Sequence, residues 1–543
     1  MRRAQVVAVT LLSAMAVACG GPQVGAPAGG QKKPKLVVLL VIDQLPTWAF
    51  DRDQALFTGG IARMLREGGY VHAGELPYAN AFTAPGHATI GTGQPPSATG
   101  IIGNTWYRRS ESKELAADWD PASPIFNVDG SGPIEMTASA AALRVDGLAE
   151  ALRAAHPDAH SAAIGLKARG ALFVAGKRPD VAVFFEAKAG GMTTSAAYAK
   201  ELPPWLAQLA KDKPAKRFVG VQWNPMDGGL LRRERKFADA SKGEGDMHGI
   251  GPAFPHVADD LDHISATPFG DTVVLEAATA ALAAMPFGTD DTPDLLAVSL
   301  NAHDYVGHIF GPDSWEILDQ TMQLDRALGT WFEQLDQKFG ADGWVAVLTS
   351  DHGATPLVER SSVKGARRIP PGEITQGIND ALKPLLGEGA WVDKLAENQI
   401  YLSNAIGDPA TREKAIALAM DTLKKVPNVE SVYRVDKTMG HCETRTGMEQ
   451  AVCYGLAPDV SGELYIVPAR GSLISEYTAG THHDAPNADN REVPIIVRAP
   501  GLAGKKLDRA STLQIAPTVA ALLGVPAPKG ATAAPLFDLP AAR

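Results

Sequence analysis

Aspartate and histidine gather at four points of this 543-residue chain, each beside a run of apolar residues or a turn. Asp43 closes the run 35–42 (KLVVLLVI). Asp304 and His308 lie in NAHDYVGH, after 294–300 (DLLAVSL). Asp351 and His352 lie in SDHG, after 344–349 (WVAVLT). His482, His483 and Asp484 lie in GTHHD, before 493–498 (VPIIVR). Carboxylates and neutral imidazoles are donors for zinc, and a zinc site of this kind draws its ligands from several segments. Asp304 and His308 are four apart, which puts both on one face of a helical turn. The adjacent pair Asp351-His352 suits a strand end, where the chain leaves the sheet and neighbouring side chains can both turn inward. Taken singly, each Asp reads as a helix cap and each His as a hydrogen-bonded structural residue. Four clusters together are hard to explain as caps.

A nucleophile candidate lies in NAFTAPGHATIGTG, residues 80–93. Thr83 precedes Ala-Pro-Gly and a helical stretch, and Pro85 fits a first helical turn. A hydroxyl at a helix N-terminus sits in positive potential, which would stabilise its alkoxide and a bound anion. The plain alternative is a Thr N-cap. Thr89 is a second hydroxyl, but it falls inside the helix.

The elements that must position these groups follow from periodicity. The continuous apolar runs fit buried parallel strands. Helical periodicity between them covers 141–155, 273–285, 315–338 and 512–523. Strands alternating with helices predict an α/β fold with a central, mostly parallel sheet flanked by helices. Ligands of such sheets bind beyond the carboxyl ends of the strands, where Asp43, Asp304 and Asp351 fall. Two stretches break the pattern. Residues 156–268, rich in Gly, Lys and Pro, are expected to form an inserted cap. Residues 366–468, with a helix at 411–425 between strand-like runs at 399–402 and 430–434, are expected to form a small α+β subdomain.

Seven blocks in fixed order carry a resemblance: VIDQ at 41–44, FTAPGHATIGTG at 82–93, GIIGNTWY at 100–107, LKARGA at 166–171, LNAHDYVGH at 300–308, TSDHG at 349–353 and GTHHDAP at 480–486. From about Lys35 to Pro528 the chain resembles the alkaline phosphatase superfamily, in particular its single-chain, phosphate-irrepressible periplasmic branch, the PafA-like phosphatases. The resemblance implies two zinc ions. Asp304, His308 and His483 would hold one; Asp43, Asp351, His352 and the Thr83 oxygen would hold the other. It implies a phosphothreonine on Thr83, with Asn104, Lys167 and Arg169 on the phosphoryl oxygens. In isolation Lys167 and Arg169 would read as a solvated strand face. The family usually has Gly-Ser after its last ligand. Here Asp484-Ala485 follow His483, which leaves His482 and Asp484 as candidates to support the ligands from behind rather than to bind metal.

Lys-x-Arg favours a dianionic monoester, because two cations meet its non-bridging oxygens. The expected activity is therefore phosphate monoester hydrolysis on small substrates. The rivals are a nucleotide pyrophosphatase/phosphodiesterase, which shares the metal ligands and Thr but lacks this pair, and a non-catalytic exported zinc- or phosphate-binding lipoprotein. A sulfatase is disfavoured, since Thr83-Ala84-Pro85-Gly86-His87 lacks the Cys or Ser, and the Arg, of that chemistry.

Residues 1–19, MRRAQVVAVTLLSAMAVAC, read as an export signal, too short for a membrane span. Ala16-Val17-Ala18 fits ordinary cleavage. With Cys19 the same residues resemble a lipobox, in which a lipidated Cys19 would tether the chain to a membrane. Residues 20–34 then form a flexible tether, and 35–543 the catalytic domain. The expected location is the periplasm or an outer-membrane anchor. In an oxidising compartment Cys442 and Cys453, eleven apart, read as a local disulfide, with two free thiols as the alternative. Lys+Arg of 51 against Asp+Glu of 61 gives a net charge of −10, with no basic run, so no nucleic-acid partner is expected. Three cysteines exclude a disulfide-built scaffold and a Cys-rich metal site. The family branch suggests a monomer.

Overall fold

The computed structural model describes residues 33–246 and 249–539. The export signal, Cys19 and the tether as far as residue 32 lie outside the described residues.

Its centre is a nine-stranded sheet. In chain order the strands are β1 (Leu36–Ile42), β2 (Gly69–Glu75), β3 (Ser161–Gly165), β4 (Val181–Glu186), β5 (Gly191–Thr193), β6 (Asp294–Leu300), β7 (Trp344–Thr349), β12 (Glu492–Arg498) and β13 (Lys506–Ser511). Across the sheet they run β13-β2-β12-β7-β1-β6-β3-β4-β5. β1, β6 and β7 are buried along their whole length, as continuous apolar runs between two helical layers must be. Alternate residues of β1 serve the two layers. Leu36, Val38, Leu40 and Ile42 face helices α4 (Pro268–Ala284) and α6 (Trp315–Phe339). Val37, Leu39 and Val41 face α2 (Leu148–Ala155) and α9 (Ile515–Leu523).

Register brings the strand ends to one edge. β1 pairs in parallel with β6 (Leu36↔Asp294) and with β7 (Leu36↔Trp344). β12 is not parallel: it runs against β7, with Leu348 opposite Ile496. Its start therefore lies where β1, β6 and β7 end, and the GTHHD loop before it opens onto the same edge. β2 runs against β12, so the segment after it, leading to Thr83, arrives there too.

Two expectations need correction. Residues 156–268 are not one inserted cap, because β3, β4 and β5 belong to the central sheet. β3 pairs with β6, and its sequence, SAAIG, is too short and small-sided to read as an apolar run. What stands outside the sheet begins after Thr193 and includes a ribbon of Gln222–Trp223 with His256–Val257. Residues 141–155 are not one helix either. Leu143 closes a turn on Ala140, Arg144 bonds back to Thr99, and α2 starts only after Gly147, whose N–H donates to Glu150 at 2.7 Å.

Beside the sheet, β8 (Val392–Ala396), β9 (Gln399–Leu402), β10 (Val429–Arg434) and β11 (Leu464–Pro468) form an antiparallel sheet in the order β8-β9-β11-β10. Helices α7 (Pro371–Leu386) and α8 (Pro409–Leu423) cover it over their own apolar core. Cys442 and Cys453 are joined by a disulfide. The loop it closes abuts the approach to Thr83, where the Ala79 N–H donates to Ala451 O at 2.9 Å.

Candidate active site

Helix α5 (Ala302–Phe310) follows β6 directly and places Asp304 one turn from His308, with His308 Nε2 3.2 Å from Asp304 Oδ1. His483 Nε2 approaches the same oxygen at 3.9 Å. Across the β1–β7 boundary, Asp43, Asp351 and His352 form a second group whose ligating atoms lie within 4.8 Å of one another. His352 Nε2 is 3.4 Å from Asp43 and 3.5 Å from Asp351. Asp304, His352 and His483 also fall within 4.8 Å of one another, so the two groups abut.

Each imidazole is aimed by its other nitrogen. His308 Nδ1 donates to Thr481 O at 2.7 Å, His352 Nδ1 to Gly353 O at 2.9 Å and His483 Nδ1 to Ala81 O at 2.5 Å. A carbonyl only accepts, so Nδ1 carries the proton and Nε2 keeps a free lone pair, the arrangement of metal-ligating histidines. Asp43 Oδ1, Asp351 Oδ2 and His352 Nε2 are buried without a hydrogen-bond partner. Buried polar atoms are rarely left so, and three convergent ones fit a cation.

The charges agree. Burial pushes the Asp43 carboxyl up to about 6, with the Asp304 and Asp351 carboxylates adding to the rise. Burial opposes ionisation of Asp304 as well, yet His308 and Lys167 hold it well below the usual range. Burial disfavours a charged Lys167, but Asp304 and Asp43 outweigh that and keep it an ammonium.

Lys167 follows β3 at the N-terminus of α3 (Ala168–Val174). Its Nζ donates to Asp43 Oδ2 at 2.9 Å and to Asp304 Oδ2, joining the two groups, and lies 4.9 Å from the centre of the Tyr305 ring. Arg169 Nε is buried with no hydrogen-bond partner.

Thr83 is the first residue of α1 (Thr83–Thr92) and is 1% exposed. The cap position belongs to Phe82, and no side chain caps the helix, so the Thr83 hydroxyl is not spent as an N-cap. Thr89, the other candidate, donates to Gln94 O within the fold. Asn104 Oδ1 accepts from the Ala84 N–H at 2.8 Å, which leaves its amide N–H groups to face elsewhere at the same helix end.

Several positioning residues escaped the sequence reading. His87 Nδ1 lies 2.9 Å from Thr83 O and 3.1 Å from Asp351 Oδ2, while Nε2 contacts Ser299 Oγ at 2.7 Å. Gln44 donates its backbone N–H to Asp351 at 3.1 Å and its side-chain N–H to Asp304 at 2.7 Å, spanning both groups. Asn301 donates to Asp43 Oδ2 at 2.8 Å and accepts the Lys167 N–H at 3.0 Å. These three stand beside or inside quoted motifs, a proximity that could have flagged them. Glu397 carries no such signal. It sits between β8 and β9 of the small subdomain and accepts the backbone N–H groups of Asn104 at 2.7 Å and Thr105 at 3.2 Å.

A threonine hydroxyl at a helix N-terminus, two groups of side chains that could hold metal, and buried cations thus meet on one sheet edge. The family model that matches residues 37–489 describes type I phosphodiesterases and nucleotide pyrophosphatases. The chain belongs to this family. Among the relatives that match it over nearly their whole length, four are named alkaline phosphatases and another, of Myroides odoratus, is named a calcium-transporting ATPase. Alkaline phosphatase PafA of Elizabethkingia meningoseptica is 29% identical over 530 residues, 93% of this chain and 94% of the relative. Alkaline phosphatase PhoV of Synechococcus elongatus is 29% identical over 523 residues, 93% of each. The crystal structure of wild-type PafA superposes with a TM-score of 0.86 at 28% identity, over 94% of this chain and 99% of that one. The PafA-like resemblance and the sheet-and-helix architecture expected from the sequence both hold.

Proposed function

We propose that this chain is an exported, zinc-dependent phosphate monoester hydrolase that works through a phosphothreonine on Thr83. The observation that carries the reading is the convergence of unbonded donor atoms, Asp43 Oδ1, Asp351 Oδ2 and His352 Nε2, beside the Asp304/His308/His483 group. Asp304, His308 and His483 would hold one zinc; Asp43, Asp351, His352 and the Thr83 oxygen would hold the other. Bound there, the ions supply Lewis-acid stabilisation of the attacking and leaving oxygens.

The protein's own part is positioning. The positive end of α1 favours the Thr83 alkoxide and the anionic phosphoryl group beside it. Thr83 Oγ forms a bond to phosphorus as the bond to the ester oxygen breaks, and the alcohol departs with a proton from solvent. Water then attacks phosphorus, Thr83 Oγ leaves, and inorganic phosphate is released. Two in-line displacements retain configuration at phosphorus. Asn104 and Arg169 bind the non-bridging oxygens, Arg169 with an Nε that has no protein partner. Lys167 contributes charge at the join of the two groups.

Monoester against diester turns on Arg169. Lys167 is tied to Asp43 and Asp304, so its removal disturbs the metal groups and harms every substrate. Arg169 has no such tie and is the discriminating residue. The test compares kcat/KM on p-nitrophenyl phosphate and bis-p-nitrophenyl phosphate. Wild type is expected to prefer the monoester, and Arg169→Ala to lose far more on it than on the diester. Preference for the diester would move the enzyme to phosphodiesterase chemistry, which the family description also names. Turnover of neither would favour a binding protein. The disulfide between Cys442 and Cys453 supports an oxidising compartment, and Cys19 supplies the membrane tether of a lipoprotein. The enzyme acts as a monomer on small phosphomonoesters.

A further inference from the structure

Three imidazoles, His308, His352 and His483, are among the proposed zinc ligands, and a fourth stands beside them. His308, His482 and His483 each offer a ring nitrogen, and the three nitrogens lie within 4.8 Å of one another. The His482 ring is 4.9 Å from that of His308, edge to face, and 5.8 Å from that of His483. His308 and His483 spend Nδ1 on backbone carbonyls, so their free Nε2 atoms are the ones available to a metal.

The loop is built to hold this residue in place. The His482 carbonyl accepts the Thr355 N–H at 3.2 Å. The Thr481 hydroxyl donates to Thr355 O at 2.7 Å, and the Thr481 carbonyl is the one that orients His308. On the other side Asp484 Oδ2 accepts the Ile474 N–H at 2.7 Å, and Asp484 O accepts from Asn398 at 2.8 Å. Both neighbours of the His482-His483 pair are thus anchored, and the largely buried ring of His482 is left beside the Asp304/His308/His483 group.

We propose that His482 is a further ligand of the metal held by Asp304, His308 and His483. This rests on the metal reading of the site and deepens it. Three protein donors leave a zinc site open, whereas four close it in a tetrahedral set. With His482 the position would have four protein donors, and the His482 imidazole would have to give way for substrate to reach the ion.

The test reads metal binding rather than turnover. The chain, stripped of metal and titrated with Zn2+ against a chelator of known affinity, is compared with His482→Gln. Loss of a ligand is expected to weaken the affected position by at least about tenfold, since even partners of ligands are worth about 10–100-fold. His482→Cys, loaded with Co2+, is expected to regain affinity and to show a sulfur-to-cobalt charge-transfer band in the near ultraviolet. His72→Cys, which replaces an exposed imidazole facing Asp51, is expected to show none. The cysteine variant keeps the test decisive if His482→Gln folds poorly. Unchanged Zn2+ affinity in His482→Gln, or no charge-transfer band in His482→Cys, overturns the proposal and leaves the two-metal reading standing. A wild type that binds no Zn2+ overturns both.

Discussion

Helix α1 carries no side chain at Gly86, and the backbone of Asp351 fills that gap. A Cβ at Gly86 would lie 2.5 Å from Asp351 O and 2.7 Å from Asp351 Cβ. Ordinary contact starts near 3.4 Å, so Gly86→Ala must separate the helix that bears Thr83 from Asp351 by about 1 Å. Neither side gives easily. α1 is held through His87 to Ser299 and through Ala84 to Asn104, and Asp351 accepts the N–H groups of Gln44 and His352. Overpacking of this kind destabilises by roughly 1–3 kcal/mol, and a misplacement of about 1 Å between reacting groups costs on the order of 10²-fold in rate. The assay is kcat/KM on p-nitrophenyl phosphate at saturating zinc, with Tm measured alongside. Gly91→Ala is the control. Its Cβ would meet Phe173 O at 2.4 Å, a clash as severe but two turns from Thr83, so Tm should fall with a much smaller loss of kcat/KM. If Gly86→Ala kept kcat/KM within about threefold of wild type, the close docking of α1 on Asp351 would not be what places Thr83.

Glu397→Ala strands the Asn104 and Thr105 N–H groups, worth about 1–3 kcal/mol; kcat/KM should fall about tenfold or more, Glu397→Gln should retain most of it, and the loss should vanish in an Asn104→Ala background. Additive losses would show that Glu397 does not act through Asn104. Asp271 gives a pH prediction. Burial pushes its carboxyl up to about 7, against the bonds it accepts from Ala302 and Gln320. Its stabilising protonated form is fully present below its unfolded value of 3.8 and is lost as pH rises towards 7. The Tm of Asp271→Asn relative to wild type should therefore climb across that window and level off above it; a constant difference would show that Asp271 does not take up a proton on folding. Chelation should abolish turnover and added Zn2+ restore it, while activity that survives full removal of metal, measured by elemental analysis, would remove the metal from the chemistry.

How much of this was legible in the sequence follows from where the physical signal resides. β1, β6 and β7 announce themselves because strands buried on both faces must be continuously apolar, and their ends locate Asp43, Asp304 and Asp351. β12 is equally apolar but antiparallel, and composition alone does not distinguish the two directions. β3 escaped because SAAIG is too short and small-sided to read as an apolar run, and β5 has only three residues; β4, VAVFFE, is an apolar run that was hidden by its place inside a Gly-, Lys- and Pro-rich stretch. Asp304 and His308 meet across one helical turn as their spacing suggested, and the other candidate ligands, grouped by resemblance, lie beside them. Lys167 was expected on the phosphoryl oxygens, and its ion pairs with Asp43 and Asp304 show a tie between the metal groups that no local pattern encodes. Glu397 is the extreme case: its partners lie about 290 residues away, and only the docking of the small subdomain against the Asn104 loop reveals its part.

The most direct test of the central claim is to trap the covalent enzyme. Zinc-loaded wild type and Thr83→Ala are mixed with a phosphomonoester, quenched in acid within one turnover, digested and read by mass spectrometry. One phosphoryl group on the peptide bearing Thr83, absent from Thr83→Ala, is the expected result. Rapid turnover by Thr83→Ala, or a phosphoryl group found on another residue, would contradict the assignment of Thr83 as the nucleophile.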